Sequence, residues 1–324
     1  MKRYVFLLPV LFLLTALPVH AQFSNGDVNI VISPTDPRPY QTITVTPDSS
    51  SIDLIRSVVT VSVDGKVVVK GSGAQSIPVT VAGPGGRTTI SVSAVVDGKT
   101  YTKQLILRPA DVALISEPVS TTHPLYPGAS LTAVTGRVRI IAIPDLRSAP
   151  TARIPASALV YTWKVGDRIL TAESGIGRSV LIATAPMRYR DAQISVTVSN
   201  ADSTIIAQSA TTVSPVDPVA RIYHNDALMG PDFDHAISGT YAMTAQEDAF
   251  RAVGYFFGKN PSLAWTVSGQ SASNDQDVTV RTTGTGKGNA ILALTASQSD
   301  THQNISMQIP IAFGANKTFN IFGF

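Results

Sequence analysis

Along this chain, short runs alternate apolar and polar residues with a period of two. Gly, Pro, Asn, Asp and Ser interrupt them at close intervals. Three of the runs share one form: VVTVSVDGKVVV from Val58, LVYTWKVGDRIL from Leu159 and SLAWTVSGQSAS from Ser262. In each, an alternating stretch meets a turn of Gly, Asp or Ser and then resumes. That is the pattern of a strand buried on one face and followed by a hairpin. Aligned this way, Val61, Trp163 and Trp265 occupy one position, and the latter two are the protein's only tryptophans.

Each copy continues in the same order. A second alternating strand follows: TTISVSAVVDG from Thr88, AQISVTVSNAD from Ala192 and NAILALTASQSD from Asn289. A polar turn then leads to a last strand, TYTKQLILRP, TIIAQSATTVSP or NISMQIPIAFG. Further strands are expected ahead of each copy, as in Ser130–Pro144 and Thr240–Phe257. Many short strands with frequent turns and a Trp on the third strand describe an immunoglobulin-like sandwich. The predicted fold is therefore all-β, with three tandem immunoglobulin-like β-sandwich domains at 22–109, 110–216 and 217–314. Trp163 and Trp265 are structural core residues in this reading. A stacking residue for a ligand would not recur at one register in two domains. Val61 in the first copy implies a smaller core. The segment Thr244-Ala245-Gln246-Glu247 has the form of a helix capping box, but by analogy with TAVTGRVRIIAI it is read as a turn followed by a strand.

LRPADV (Leu107–Val112) and SPVDPVAR (Ser214–Arg221) fall between the copies. Their prolines stiffen the junctions, so the expected arrangement is a semi-rigid rod. Ahead of the first copy, MKRYVFLLPVLFLLTALPVHA has a basic start, a short apolar stretch and the small-residue site Val19-His20-Ala21. Residues 1–21 read as a secretory signal peptide, so the protein is expected to be exported to the cell surface, periplasm or medium. No later apolar run has the length of a membrane-spanning helix.

Composition then narrows the chemistry. The formal charge is +3, and loss of Lys2 and Arg3 with the leader reduces it to +1, which argues against nucleic-acid binding. Without cysteine, the chain has neither disulfides nor thiolate sites. TGTGKGNA from Thr283 resembles part of a phosphate-binding loop. However, Lys287 is followed by Gly288 and then by a strand rather than a helix, and GPGGRTT and APMRYRDAQ stand at the same place in the other copies. SGIGRS from Ser174 lacks the spacing of a nucleophile elbow. His123, His224, His235 and His302 are read as lying in polar loops, apart from one another.

Asp226, Asp232 and Asp234, in and near GPDFDH, supply oxygen ligands of the kind calcium takes, although aspartate also fills turns for backbone reasons. They are not assigned as a site. The pairs Arg137/Arg139 and Arg188/Arg190 are each two apart and would share a strand face, either solvated or offered to an anionic partner. No cofactor is expected. The tail 315–324 carries Phe319, Ile321, Phe322 and Phe324, an apolar set suited to docking on a protein partner at the cell envelope or to folding back onto the third domain.

Several stretches, PLYPGASL, IIAIPDLRS, LVYTWKVGD, SGIGRSV and RIYHNDALMGPDFD, resemble an uncharacterised group of exported proteins with tandem Ig-like or PKD-like domains from candidate-phylum bacteria. The resemblance implies a β-sandwich surface protein and carries over no catalytic residue. PKD-type domains place a Gly-Asp pair after the Trp. Trp163 with Gly166-Asp167 fits, while Trp265 with Ser268-Gly269 departs. The expected function is a non-catalytic structural or adhesion protein of the cell surface. The alternative is a glycan- or peptide-binding module that reads its ligand through sandwich loops, which an exposed aromatic pair would favour.

Overall fold

The computed structural model describes residues 28–314 apart from Leu125 and Thr285. The leader at 1–21 and the tail with Phe319, Ile321, Phe322 and Phe324 lie outside the described residues. Within them the regular structure is strand, apart from two single-turn 3-10 helices at Leu54–Arg56 and Ala156–Ala158. The chain divides into two compact units. Most of the first sandwich forms one, and the second and third sandwiches lie together in the other.

The first sandwich contains β1 (Asn29–Ser33), β2 (Thr42–Asp48), β3 (Val58–Val63), β4 (Lys66–Ser72), β5 (Ile77–Thr80), β6 (Thr88–Val96) and β7 (Lys99–Leu107). They form the sheets β1-β2-β5 and β4-β3-β6-β7. Its core is built from small and branched aliphatics, among them Ile43, Val45, Val59, Val61, Ile90, Val92 and Ala94. The β3–β4 turn places Asp64 and Gly65 at φ 51° and 81°. Both are left-handed, the geometry that matches the twist of a two-residue hairpin and that Asp-Gly supplies at little cost.

The second sandwich contains β8 (Asp111–Val119), β9 (Arg137–Asp145), the small hairpin β10 (Arg147–Ala149) and β11 (Ala152–Arg153), then β12 (Val160–Val165), β13 (Arg168–Ile169), β14 (Gly175–Ile176), β15 (Val180–Thr184), β16 (Ala192–Ser199) and β17 (Ile206–Val213). Its sheets are β15-β9-β8 and β13-β12-β16-β17, with β14 on β12. The third contains β18 (Val219–Asp226), β19 (Gly230–Ala236), β20 (Tyr241–Met243), β21 (Glu247–Tyr255), β22 (Ser262–Val267), β23 (Gln270–Ser273), β24 (Asp277–Arg281), β25 (Gly288–Gln298) and β26 (Gln303–Phe313). These pair as β19-β18-β21-β24 and β20-β26-β25-β22-β23. The fold is thus all-β, in three immunoglobulin-like sandwiches with the same strand order at their centres.

The repeated position holds in three dimensions. Val61 pairs with Val92, Trp163 with Val196 and Trp265 with Leu294, each across the same two central strands. Both tryptophans are wholly buried at 0% exposure, and Val61 is at 1%. Each indole N–H has an acceptor, the Arg178 carbonyl at 2.8 Å for Trp163 and the Asp275 carbonyl at 3.0 Å for Trp265. A buried indole requires such a partner, so these are core residues and not ligand platforms.

Thr244–Gln246 is irregular and β21 follows, as the turn-and-strand reading expected. Three expectations fail. His224 and His235 lie on strands β18 and β19, because the GPDFDH segment folds back on β18 as a hairpin instead of forming a loop. Arg188 and Arg190 lie in the turn between β15 and β16 and share no strand face. Ser130–Gly136 is not a strand. Only Ala133 pairs, in an isolated parallel bridge to Val216.

Candidate functional site at the junction of the second and third sandwiches

The loop between β8 and β9, residues 120–136, is long for a sandwich and reaches the third domain. Thr121 is its anchor. The Thr121 N–H donates to the Phe257 carbonyl at 2.8 Å, and the Thr121 carbonyl accepts from Phe256 N–H at 2.8 Å. The Thr121 hydroxyl donates to the Gly254 carbonyl at 2.8 Å and accepts from Phe257 N–H at 3.1 Å. Further along, Gln303 Nε2 donates to the Val134 carbonyl at 2.7 Å. The inter-domain segment is held by the same loop: Val216 N–H donates to the Thr132 carbonyl at 2.8 Å and Val134 N–H to the Val216 carbonyl at 3.1 Å. Gly254 is required here, because a Cβ would stand 2.7 Å from the Pro261 ring. Phe256 takes φ 60°, a left-handed conformation that is costly for a bulky residue and is held here by the bonds of Thr121 to its neighbours.

This anchoring gathers six aromatic rings. His123 stacks on Phe233, with centroids 4.4 Å apart and planes 10° apart. Tyr126 lies 5.6 Å from Tyr255 and 6.4 Å from Phe256. Tyr223 meets Phe233 edge-on at 5.4 Å. Beneath them the Tyr223 and Tyr255 hydroxyls are hydrogen-bonded at 2.6 Å and buried. Burial, followed by that bond, raises the Tyr255 phenol far above its ordinary range. Pro127, Val219 and Arg221 complete a cleft of about 310 Å³. A second cleft of about 250 Å³ shares His123 and Phe233 and has a mixed lining, in which Thr122, Asn260 and Gln276 stand among Pro124, Pro261 and Leu263.

The sequence-stretch candidates fall elsewhere. Asp226 Oδ1 accepts from Leu228 N–H and Met229 N–H at 2.8 and 2.9 Å, which holds its carboxyl below the usual range and closes the β18–β19 turn. Asp232 accepts from Asp234 N–H and contacts His235 Nδ1 at 3.0 Å. Among the described residues no three His, Asp or Glu side chains are grouped to hold a metal. Asp226 and Asp232 thus accept backbone N–H groups within this hairpin, which Asp234 joins through its own N–H. Arg139 pairs with Glu117, and Arg188 with Asp217 at 2.7 Å. His224 Nε2 stands 3.6 Å from Asp248, and its ring stacks on Tyr241. The segment TGTGKGNA joins β24 to β25 with no helix after it. Among the described residues no helix is long and apolar enough to cross a membrane.

The aromatic cleft was not recognised in the sequence. Its residues come from HPLYP, RIYH, DFD and AVGYFF, stretches far apart in the chain whose meeting no local pattern announces.

No protein-family model matches the chain, and no curated protein matches it. Solved structures do. The three N-terminal domains of the bacteriophage RB49 highly immunogenic outer capsid protein align over 90% of this chain and 100% of that one, at 11% identity and TM-score 0.26. Sidekick-1 immunoglobulin domains 1–5 align over 90% of this chain and 60% of that one, at 10% identity and TM-score 0.32. The central fibronectin-III array of RIM-binding protein aligns over 89% and 96%, at 12% identity and TM-score 0.26. The fold assignment stands on the sheet pairing described above, and no activity is taken from these likenesses.

Proposed function

We propose that this is an exported, non-catalytic protein of the cell surface, similar to the tandem Ig-like or PKD-like proteins it resembles in sequence. Its three tandem sandwiches serve envelope architecture or adhesion. The segment with Phe319, Ile321, Phe322 and Phe324 docks it to an envelope or pilus-like protein partner. The observation that supports this reading most is the hydrogen-bonded junction of the second and third sandwiches. Neighbouring domains in one chain ordinarily move against each other. Here four hydrogen bonds converge on Thr121, and the connecting segment is itself paired to the loop that carries it. A module that holds a position or transmits a load needs such a joint. A chain of independently tumbling domains does not.

Fractionation of native cells tests the reading, comparing the intact protein with a form lacking residues 315–324. The intact form is expected with the envelope and the shortened form in the soluble fraction, with crosslinks through the tail naming the partner. If both forms partition alike, the docking role is wrong. Lower heat stability of the shortened form would then assign the tail to the third domain's core.

A further inference from the structure

We propose that the paired clefts at the junction bind an acidic oligosaccharide, with a carboxylated sugar ring in the aromatic cleft and the next ring in the adjoining one. This goes beyond the architectural role and stands on different observations.

The first observation is the lining. A pyranose has flat C–H faces that pack on aromatic rings and a rim of hydroxyls that need polar partners. The aromatic cleft has rings of both kinds of use: Tyr126, Phe233 and Phe256 are only half-buried, while Tyr223 and Tyr255 form its closed floor. The adjoining cleft adds side-chain hydroxyl and amide groups to an otherwise mixed lining. Thr122, Asn260 and Gln276 line it, and none of their side chains has a hydrogen-bond partner within the described protein. Their hydroxyl and amide groups are thus free for sugar hydroxyls. Both clefts are lined by His123 and Phe233, so they adjoin across that stacked pair.

Charge is the second observation. Arg221 is exposed at the aromatic cleft, donates Nη1 to the Ala220 carbonyl at 3.2 Å and makes no ion pair among the described residues. No carboxylate lines either cleft. Asp232 and Asp234 flank Phe233 on β19, and the strand's alternation directs them to its opposite face. Arg251, in the adjoining cleft, is already neutralised by Asp277 at 2.5 Å. The net cation is therefore Arg221, placed to receive a sugar carboxylate as a charge-assisted hydrogen bond. A cationic or quaternary-ammonium ligand, which the aromatic rings alone would also suit, is disfavoured by that guanidinium.

A third observation concerns cost. Phe256 keeps its left-handed backbone at the cleft. Strained residues of this kind persist where the surroundings over-determine them, and they gather at ligand sites.

The test titrates the full chain by calorimetry with hexasaccharides of galacturonate, of mannuronate and guluronate, and of hyaluronan. Fully methyl-esterified hexagalacturonate is the uncharged control. At least one acidic oligomer is expected to bind, with the esterified control weaker by about tenfold or more. Arg221→Gln should lose a similar factor without changing the melting temperature, since the side chain is exposed. Asn260→Ala with Gln276→Ala should weaken binding several-fold. Phe233→Ala should abolish it, and a melting curve shows whether that variant is folded. No binding by any acidic oligomer overturns the proposal. So does equal binding of charged and esterified forms, or an Arg221→Gln variant that binds as tightly as the parent. None of these outcomes bears on the envelope fractionation, so the two readings fail separately.

Discussion

The first and third sandwiches use the same strand order to fill the same central position with a valine and with a tryptophan. In the first, β4 pairs with β3 along its whole length, from Val58 with Ser72 to Val63 with Lys66. The core behind Val61 is aliphatic. In the third, β23 is short, and the chain then returns so that the Asp275 carbonyl meets the Trp265 indole N–H. The second behaves like the third, with β13 only two residues long and the Arg178 carbonyl as acceptor. The difference teaches what the tryptophan does. It is not needed for the topology, which alternation and turns already specify. It adds packing area, and its one polar atom requires a crossing segment to satisfy it.

The largest expected effect breaks the comparison at its centre. Trp265→Ala should cost about 3–5 kcal/mol, and Val61→Ala about 2 kcal/mol, in denaturant unfolding followed by probes placed in each sandwich. Equal losses would mean that the indole is not the keystone of its domain. Next, Thr121→Val leaves the Gly254 carbonyl and the Phe257 N–H without a hydroxyl partner, at about 1–3 kcal/mol. The second and third sandwiches should then unfold in separate transitions; one undivided transition would show that the joint does not depend on this residue.

The third effect is alkaline. Burial, reinforced by Asp248, pushes the Tyr241 phenol up to about 12 from 10.0. With the folded value above the unfolded one, the contribution is complete below pH 10 and is lost as pH rises through about 12. The third sandwich should weaken over that range by on the order of 1 kcal/mol, after allowance for partial exposure, and Tyr241→Phe should flatten the profile. The first sandwich has no buried tyrosine among its described residues and should be less sensitive.

The smallest effect is acidic and belongs to the second sandwich. The Arg147 hydrogen bond holds the Asp145 carboxyl below its ordinary value, so its contribution is present above the normal aspartate range and fades as pH falls through the lowered one. Asp145→Asn should remove this acid dependence, worth less than about 1 kcal/mol. An unchanged acid profile in the variant would assign the dependence to other carboxylates.

The strands that bury one face were legible in the sequence because a half-buried strand writes its burial into every second residue. Val61, Trp163 and Trp265 could be aligned on that period alone, and Asp64-Gly65 and Ser268-Gly269 marked their hairpins by the backbone angles they tolerate. The GPDFDH segment was misread because aspartates suit both turns and exposed strand positions. Arg188 and Arg190 were misplaced because a turn of four residues can carry the same spacing as a strand.

By itself, then, the sequence determined the all-β class, the threefold repetition and the burial of both tryptophans. All three follow from local periodicity and turn chemistry. Only the tertiary structure decided that His123 and Tyr126 from one sandwich meet Tyr223, Phe233, Tyr255 and Phe256 from the next. The cleft they form depends on non-local hydrogen bonds to Thr121, on a glycine that admits Pro261, and on a left-handed phenylalanine. No one of these leaves a periodic trace in the chain.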